Sequence, residues 1–257
     1  MTGDRATLVR EYDEAFSAYC RSQNIVCEFV RFHPLLHNVD DFTDVYDTQF
    51  MRPTVATPLR GVSDVLMEQF SKSARKTTRR ALRQNIHVEY VTEPDDLSLF
   101  MEVYYDTMDR QEAAEDYYFP QSYFRALCEH LGTHILNIHV RNDEDVCIAS
   151  GLYFVYGDFM HAHLSGTRHE YLNLSPAYVL KYASVEWARK HGLAWVHYGG
   201  GTTNDPEDSL LAFKKKFSKG DLLDFYVGRK IFMPDIYEAM VEKNGVTKAD
   251  YFPLYRA

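Results

Sequence analysis

FMHAHLSGTRHEYLNLSPAYVLKYASVEWARKHGLAWVHYGGG, residues 159–201, reads as strand, helix, strand. FMHAHLS and AWVHY are compact runs of strand-favouring residues. AYVLKYASVEWARKH, between them, is a strongly amphipathic helix that Gly192 stops. A strand–helix–strand crossover returns its second strand parallel to the first. Strand 194–198 is therefore expected to lie parallel to strand 159–165. Within FMHAHLSG, His161, His163 and Ser165 alternate with Met160, Ala162 and Leu164, which places the two sets on opposite faces.

Working outward, VEYVTE (88–93) predicts a strand, and Pro94-Asp95-Asp96 starts a helix over LSLFMEVYYDTMDRQ. A second helix runs through SYFRALCEHL to Gly132. The strands HILNIHV, CIASGLYFVY and FMHAHLS follow, separated by hairpin-type turns at 142–145 and 157–158. After AWVHY come a helix DSLLAFKKKF, a strand LLDFYVG and a helix near PDIYEAMVEK. A three-strand meander followed by strand–helix–strand units predicts an α/β fold: one mixed sheet over 88–245 with helices on both faces. Upstream, residues 6–20 have helical spacing, IVCEFVRF is a short strand, 38–60 reads as irregular connecting structure, and 62–85 is helical.

The chain has 257 residues, 46% of them hydrophobic, enough for a substantial core. No apolar run approaches the roughly 18 residues that span a bilayer, and MTGDRATLVREYDEAF has no apolar core like a signal peptide's. Cys20, Cys27, Cys128 and Cys147 form no CxxC pair and read as reduced thiols of a cytoplasmic protein. The net charge of −9 argues against general nucleic-acid binding.

Three constellations carry chemistry. Gly199-Gly200-Gly201 end a strand on bare backbone, either to let a ligand approach the main chain or as an ordinary strand-to-helix loop. Asp205, Glu207 and Asp208 favour the start of the next helix. In that helix Phe213 and Phe217, four apart, anchor one face, and Lys214 points to a flank where it can meet a phosphate or a developing negative charge. Lys215 and Lys216 read as a solvated helix end. In KSARKTTRRALR, Lys72, Arg75, Lys76, Arg79, Arg80 and Arg83 follow the spacing of one helical face. On an acidic chain this stripe is either a phosphate-binding site or a face paired with acidic neighbours. His161 and His163 lack further ligands at zinc spacing, so no metal is expected. With no GxSxG, HExxH or local Cys–His signature, a mechanism without a covalent enzyme intermediate is favoured.

FSKSARKTTRRALRQN, EVYYDTMDRQ, DYYFPQSYF, HAHLSGTR and GGGTTNDPEDSLLAFKKKF, in that order, make the chain resemble the Fem-type (FemAB-like) aminoacyltransferases and their relatives in the GCN5-related N-acetyltransferase (GNAT) superfamily. The resemblance covers roughly residues 62–240. It implies a GNAT-like acyltransferase domain over 62–257 that begins with the basic helix. Residues 1–61 would then be the closing helix and strand of a partial first domain, plus a linker. It implies a V-shaped cleft where two parallel central strands splay apart. There an acyl or aminoacyl group would pass from acyl-CoA or aminoacyl-tRNA, neither tightly bound, to the free amine of a small or carrier-linked acceptor.

In that pattern Lys214 stabilises the oxyanion and the Phe213 carbonyl accepts the amine proton; His163, from its place on the strand, is either a proton acceptor lining the cleft or a satisfied structural histidine. Arg110 would bind an acceptor phosphate or carboxylate, and Tyr104, Tyr153 and Ser165 would line the cleft beside Gly199, Gly200 and Gly201. Lys72, Arg75, Lys76, Arg79, Arg80 and Arg83 would hold donor phosphates. The acetyl-CoA branch places a glycine-rich pyrophosphate loop before its main helix. Here TRHEYLNLSPAYVL has no glycine, which weakens acetyl-CoA and favours a charged tRNA or another carrier. The alternative is a non-catalytic binding module that keeps the fold.

Overall fold

The computed structural model describes residues 4–205, 207–245 and 251–257. In chain order the elements are α1 (Arg5–Ser22), β1 (Cys27–Arg31), a 3-10 turn (Asn38–Asp41), β2 (Asp47–Pro58), α2 (Val65–Glu68), α3 (Lys72–Leu82), β3 (His87–Thr92), α4 (Ser98–Arg110) and α5 (Gln121–Leu131). They continue with β4 (Ile135–Arg141), β5 (Cys147–Tyr156), β6 (Phe159–Thr167), α6 (Pro176–Lys190), β7 (Trp195–Gly200), α7 (Ser209–Lys215), β8 (Leu223–Ile231) and α8 (Pro234–Asn244). From β3 onward this is the order expected from the sequence.

The chain divides into two compact units, one built from the N-terminal residues up to Pro53 and the C-terminal residues from Leu223, the other from Thr54–Leu222. These units meet at 53/54 and at 222/223. In the first unit β8 pairs antiparallel with β1, Cys27 lying opposite Ile231 and Arg31 opposite Val227. The strands expected over 88–245 all belong to one mixed sheet, and β8 and α8 fall in the compact unit that holds the N-terminal segment. Phe32, Phe42 and Tyr46 pack edge-on and tilted around each other at 6.0–6.2 Å. Lys230 pairs with Asp13, and the Tyr46 hydroxyl donates to Glu28.

The second unit is a mixed sheet of order β2-β7-β6-β5-β4-β3, in which only β6–β7 is parallel. Helix α6 packs on one face with α3 behind it, and α4 lies on the other face against β5 and β6. Both faces being covered, β4 and most of β5 are buried continuously, without alternation. One core joins Val179, Leu180 and Val185 of α6 to Ile138, Ile148 and Val196. The other joins Phe100 and Tyr104 of α4 to Phe124, Ile135 and Leu152.

Two expectations change here. Residues 47–58, read as irregular, are a strand whose Thr54–Pro58 pairs with β7. The helical stretch 62–85 is two helices, because Ser71 caps α3, its Oγ accepting from the Ala74 amide at 3.2 Å. All four cysteines are free thiols. Among the described residues no helix is long and apolar enough to cross a membrane, and no cluster of metal-ligating side chains occurs.

Candidate active site

The crossover from β6 through α6 to β7 exists as the sequence predicts. Pro176 opens α6 at a position where its missing N–H costs nothing, and Gly192, at φ 75°, follows the end of the helix. The parallel ladder is short: Phe159, Met160 and His161 face Trp195, Val196 and His197. Beyond that β6 runs on to Thr167 and β7 to Gly200 without pairing to each other. Where they part lies a cavity of about 620 Å³, walled by the end of β6, by α4, by one face of α6 and by the Phe213-Lys214 end of α7. Arg110, Lys181 and Lys214 line it, and among the described residues no carboxylate does.

Lys214 reaches back to the glycines. Its Nζ donates to the Gly200 carbonyl at 2.6 Å, and Gly199 sits at φ 71° directly beneath it. The rings of Phe213, Phe217 and Tyr178 meet at 5.0–5.4 Å, so the expected aromatic anchor is real and fixes the lysine's helix. Gly199 and Gly200 pair with Val55 and Thr54 of β2, so one edge of their main chain is already engaged. Gly201 is required for another reason: a Cβ there would lie 2.3 Å from the Asp208 carboxylate.

Asp208 organises the loop between strand and lysine helix. It accepts from the amides of Thr202, Thr203 and Leu211 and from both threonine hydroxyls. These bonds, that from Leu211 foremost, hold its carboxyl well below the usual carboxylate range. A depressed carboxyl contributes stability above its unfolded pKa of about 3.9 and loses it as pH falls further. The melting-temperature gap between wild type and Asp208→Ala is thus expected to be full at pH 7 and to close in acid. A gap independent of pH would show that the charge contributes nothing.

Tyr104, Arg110, His163, Ser165, Phe213 and Lys214 all border the cavity, although they lie far apart in the chain. Tyr104 is tied, its hydroxyl donating to the Tyr117 carbonyl at 2.8 Å, and burial pushes it up to about 12. The Arg110 guanidinium holds the Thr167 carbonyl at 2.9 Å and Asp106 at 3.2 Å, while among the described residues its Nε makes no hydrogen bond. His163 stacks on Phe154, has its Nε2 2.6 Å from the Tyr123 hydroxyl, and is pulled down to about 4 by burial. A base that weak is poorly matched to neutral pH.

The Phe213 carbonyl already accepts the Lys216 amide at 3.2 Å. Tyr153 does not line the cleft. It is 1% exposed in the core, so that expectation is corrected: a register shift in the β5–β6 pairing between Leu152 and Tyr153 accompanies its inward placement.

Lys181 was missed by sequence reading. It is 7% exposed, and its Nζ sits 4.7 Å from the centre of the Tyr198 ring. The available signal was its position on a helix face with Ala177, Ser184 and Ala188, small residues that mark the packed side.

The basic stripe forms as one face of α3, with Ala74, Thr78 and Ala81 buried on the opposite side against α6. Among the described residues none of its six cations makes an ion pair with a carboxylate. Arg75 donates to the carbonyls of Met67 and Phe70, and Arg80 to Ser175 just before α6.

The fold recurs among solved structures. FemX shares it at a TM-score of 0.70 and 14% identity, over 92% of this chain and 80% of that one. The C-terminal DUF2156 domain from Agrobacterium fabrum does so at 0.59 and 14%, over 86% and 73%. L-PGS from Bacillus licheniformis does so at 0.54 and 12%, over 74% and 64%. No curated protein matches the sequence. The model of the acetyltransferase (GNAT) domain matches residues 69–215, more than half of the chain and the same stretch that forks β6 from β7 and delivers Lys214. By that match the chain belongs to the GNAT family and is an acyltransferase.

Proposed function

We propose that the protein moves an acyl or aminoacyl group from a carrier onto a free amine by direct attack. The observation that carries this reading is Lys214, held by the Gly200 carbonyl at the wall of an open cleft rather than covered by side chains. An ammonium there meets the oxyanion of the tetrahedral intermediate, where charge develops only during reaction. The lining supports direct attack: among the described residues no cysteine borders the cavity and Ser165 has no histidine hydrogen-bonded to it. Arg110, with its Nε available, receives an anionic group of the acceptor, and Tyr104 and Ser165 shape its seat beside the glycines.

The donor is read as a charged tRNA. Six cations without carboxylate partners suit a phosphate backbone, and the turn before α6 is a 3-10 segment, His169–Leu174, with no glycine to cradle a pyrophosphate. Such a donor belongs to the cytoplasm. The test is mass spectrometry of an amine panel incubated with acyl-CoAs and, separately, with charged tRNAs. Absence of every acylated amine would overturn the reading.

The donor itself is decided by salt. Each neutralised phosphate releases counterions, so transfer from tRNA at subsaturating donor is expected to fall steeply between about 50 and 200 mM salt. Arg79→Glu/Arg80→Glu is expected to abolish transfer from tRNA with the fold intact, because both side chains are exposed. A flat salt response with an unaffected double variant would leave the stripe a solvated helix face.

A further inference from the structure

Two lysines enter the cleft from different helices, and their surroundings separate them. Lys214 donates to a carbonyl at 2.6 Å. Lys181 has none: among the described residues its Nζ makes no hydrogen bond and no ion pair, and it meets only the face of Tyr198. That ring is fixed from its far end, its hydroxyl 3.1 Å from Thr57 Oγ1, which donates to the Phe217 carbonyl at 2.9 Å. With no carboxylate among the described residues lining the cavity, the proton of an incoming ammonium has few destinations. The Phe213 carbonyl is a very weak base already accepting the Lys216 amide, and His163 is turned to Tyr123.

We propose that Lys181 is the base of the cleft, its free amine taking the proton of the substrate ammonium and the Tyr198 face holding the ammonium so formed. This rests on the acyl-transfer reading above. Burial, reinforced by the charge of Lys214, pulls Lys181 down to about 7, so that both its protonation states are populated near neutrality.

The groups around it do not restore its charge. Tyr198 of β7 and Tyr153 of β5 are phenols raised by burial and stay neutral. His163 of β6 is neutral above about 4. Arg110 of α4 is paired with Asp106, and on α3 Lys76, Arg79 and Arg80 are exposed. The two lysines thus stand in different environments, one with a carbonyl acceptor and one without, which assigns them different roles.

The step balances as follows. The substrate R–NH₃⁺ gives one proton to Lys181, freeing its lone pair. The nitrogen bonds to the donor carbonyl carbon while the C=O π pair moves to the oxygen facing Lys214. On collapse the bond to the carrier sulfur or oxygen breaks, its pair leaving with the carrier atom. That atom takes the second proton of the attacking nitrogen, and Lys181 returns its proton to water.

The experiment begins with ¹³Cε-lysine NMR of the full chain, Lys181 being identified as the resonance missing from Lys181→Met. Its midpoint is expected near 7, against about 10.4 for an ordinary lysine. With charged tRNA or acetyl-CoA and the amine panel, kcat/KM of the wild type is expected to show an acid limb at the same midpoint. Lys181→Met and Lys181→Arg, the latter keeping the charge but unable to deprotonate, should each lose about 10²–10⁴ in rate and lack that limb. Far-UV circular dichroism confirms that both variants fold.

A midpoint near 10, or a Lys181→Arg enzyme with the wild-type rate and profile, overturns the proposal while leaving acyl transfer standing. A wild type that transfers to no amine overturns the acyl-transfer reading and the base role with it.

Discussion

Lys214→Ala is expected to lower kcat by about 10²–10³ with little change in donor affinity, while Lys215→Ala leaves both unaltered. Both lysines are in α7 and both favour its C-terminal end electrostatically, so helix-end charge alone predicts equal effects. Only Lys214 borders the cavity and bonds to Gly200, and Lys215 is exposed. A charge aimed at the oxyanion acts where charge develops, so its removal appears in kcat more than in binding. Steady-state and single-turnover rates for both variants measure this. Equal losses in the two, or a loss confined to KM, would remove Lys214 from the oxyanion role.

Gly166→Ala is expected to destabilise the protein by roughly 1–3 kcal/mol or more, as overpacking against an unyielding neighbour does. The added Cβ would lie 2.3 Å from the Val103 carbonyl oxygen and 2.7 Å from the Tyr104 Cα, both main-chain atoms of α4 that cannot swing aside. The cleft would be damaged as well. Helix α4 is fastened to β6 next to this glycine by Thr107, whose Oγ1 accepts the Thr167 amide at 2.7 Å, and by Arg110 on the Thr167 carbonyl. Moving α4 off the strand would shift the wall that carries Tyr104 and Arg110. Urea unfolding should show a lower midpoint at unchanged slope. A wild-type midpoint would mean that helix and strand are farther apart than described.

The elements legible in the sequence are those whose pattern is local. The amphipathic period of α6 closed by Gly192, the turn residues at 142–145 and 157–158, and the crossover rule place β6 and β7 parallel before any contact is known. The FKKKF end of α7 is legible for the same reason, since aromatics four apart share one helix face. The strand over 47–58 was not. Thr54, Val55, Ala56 and Thr57 are all buried, so no alternation marks them, and Pro53 and Pro58 read as breakers. Ser71 likewise divides a continuous helical pattern through a cap whose partner amide only the fold supplies.

The candidate site follows the same division. Lys214 and the basic stripe announce themselves by spacing, because charges at helical intervals show without a partner. That Tyr153 faces the core near Tyr90 and Ser184, that His163 is held by Tyr123, and that Lys181 stands over Tyr198 with no counter-ion among the described residues depend on residues 63, 31, 40 and 17 positions away in the chain. The sequence by itself determined the order of elements and which side chains can carry charge. Tertiary structure alone decided which of those side chains are buried and which find a hydrogen-bond acceptor, since desolvation and hydrogen bonding come from atoms distant in sequence.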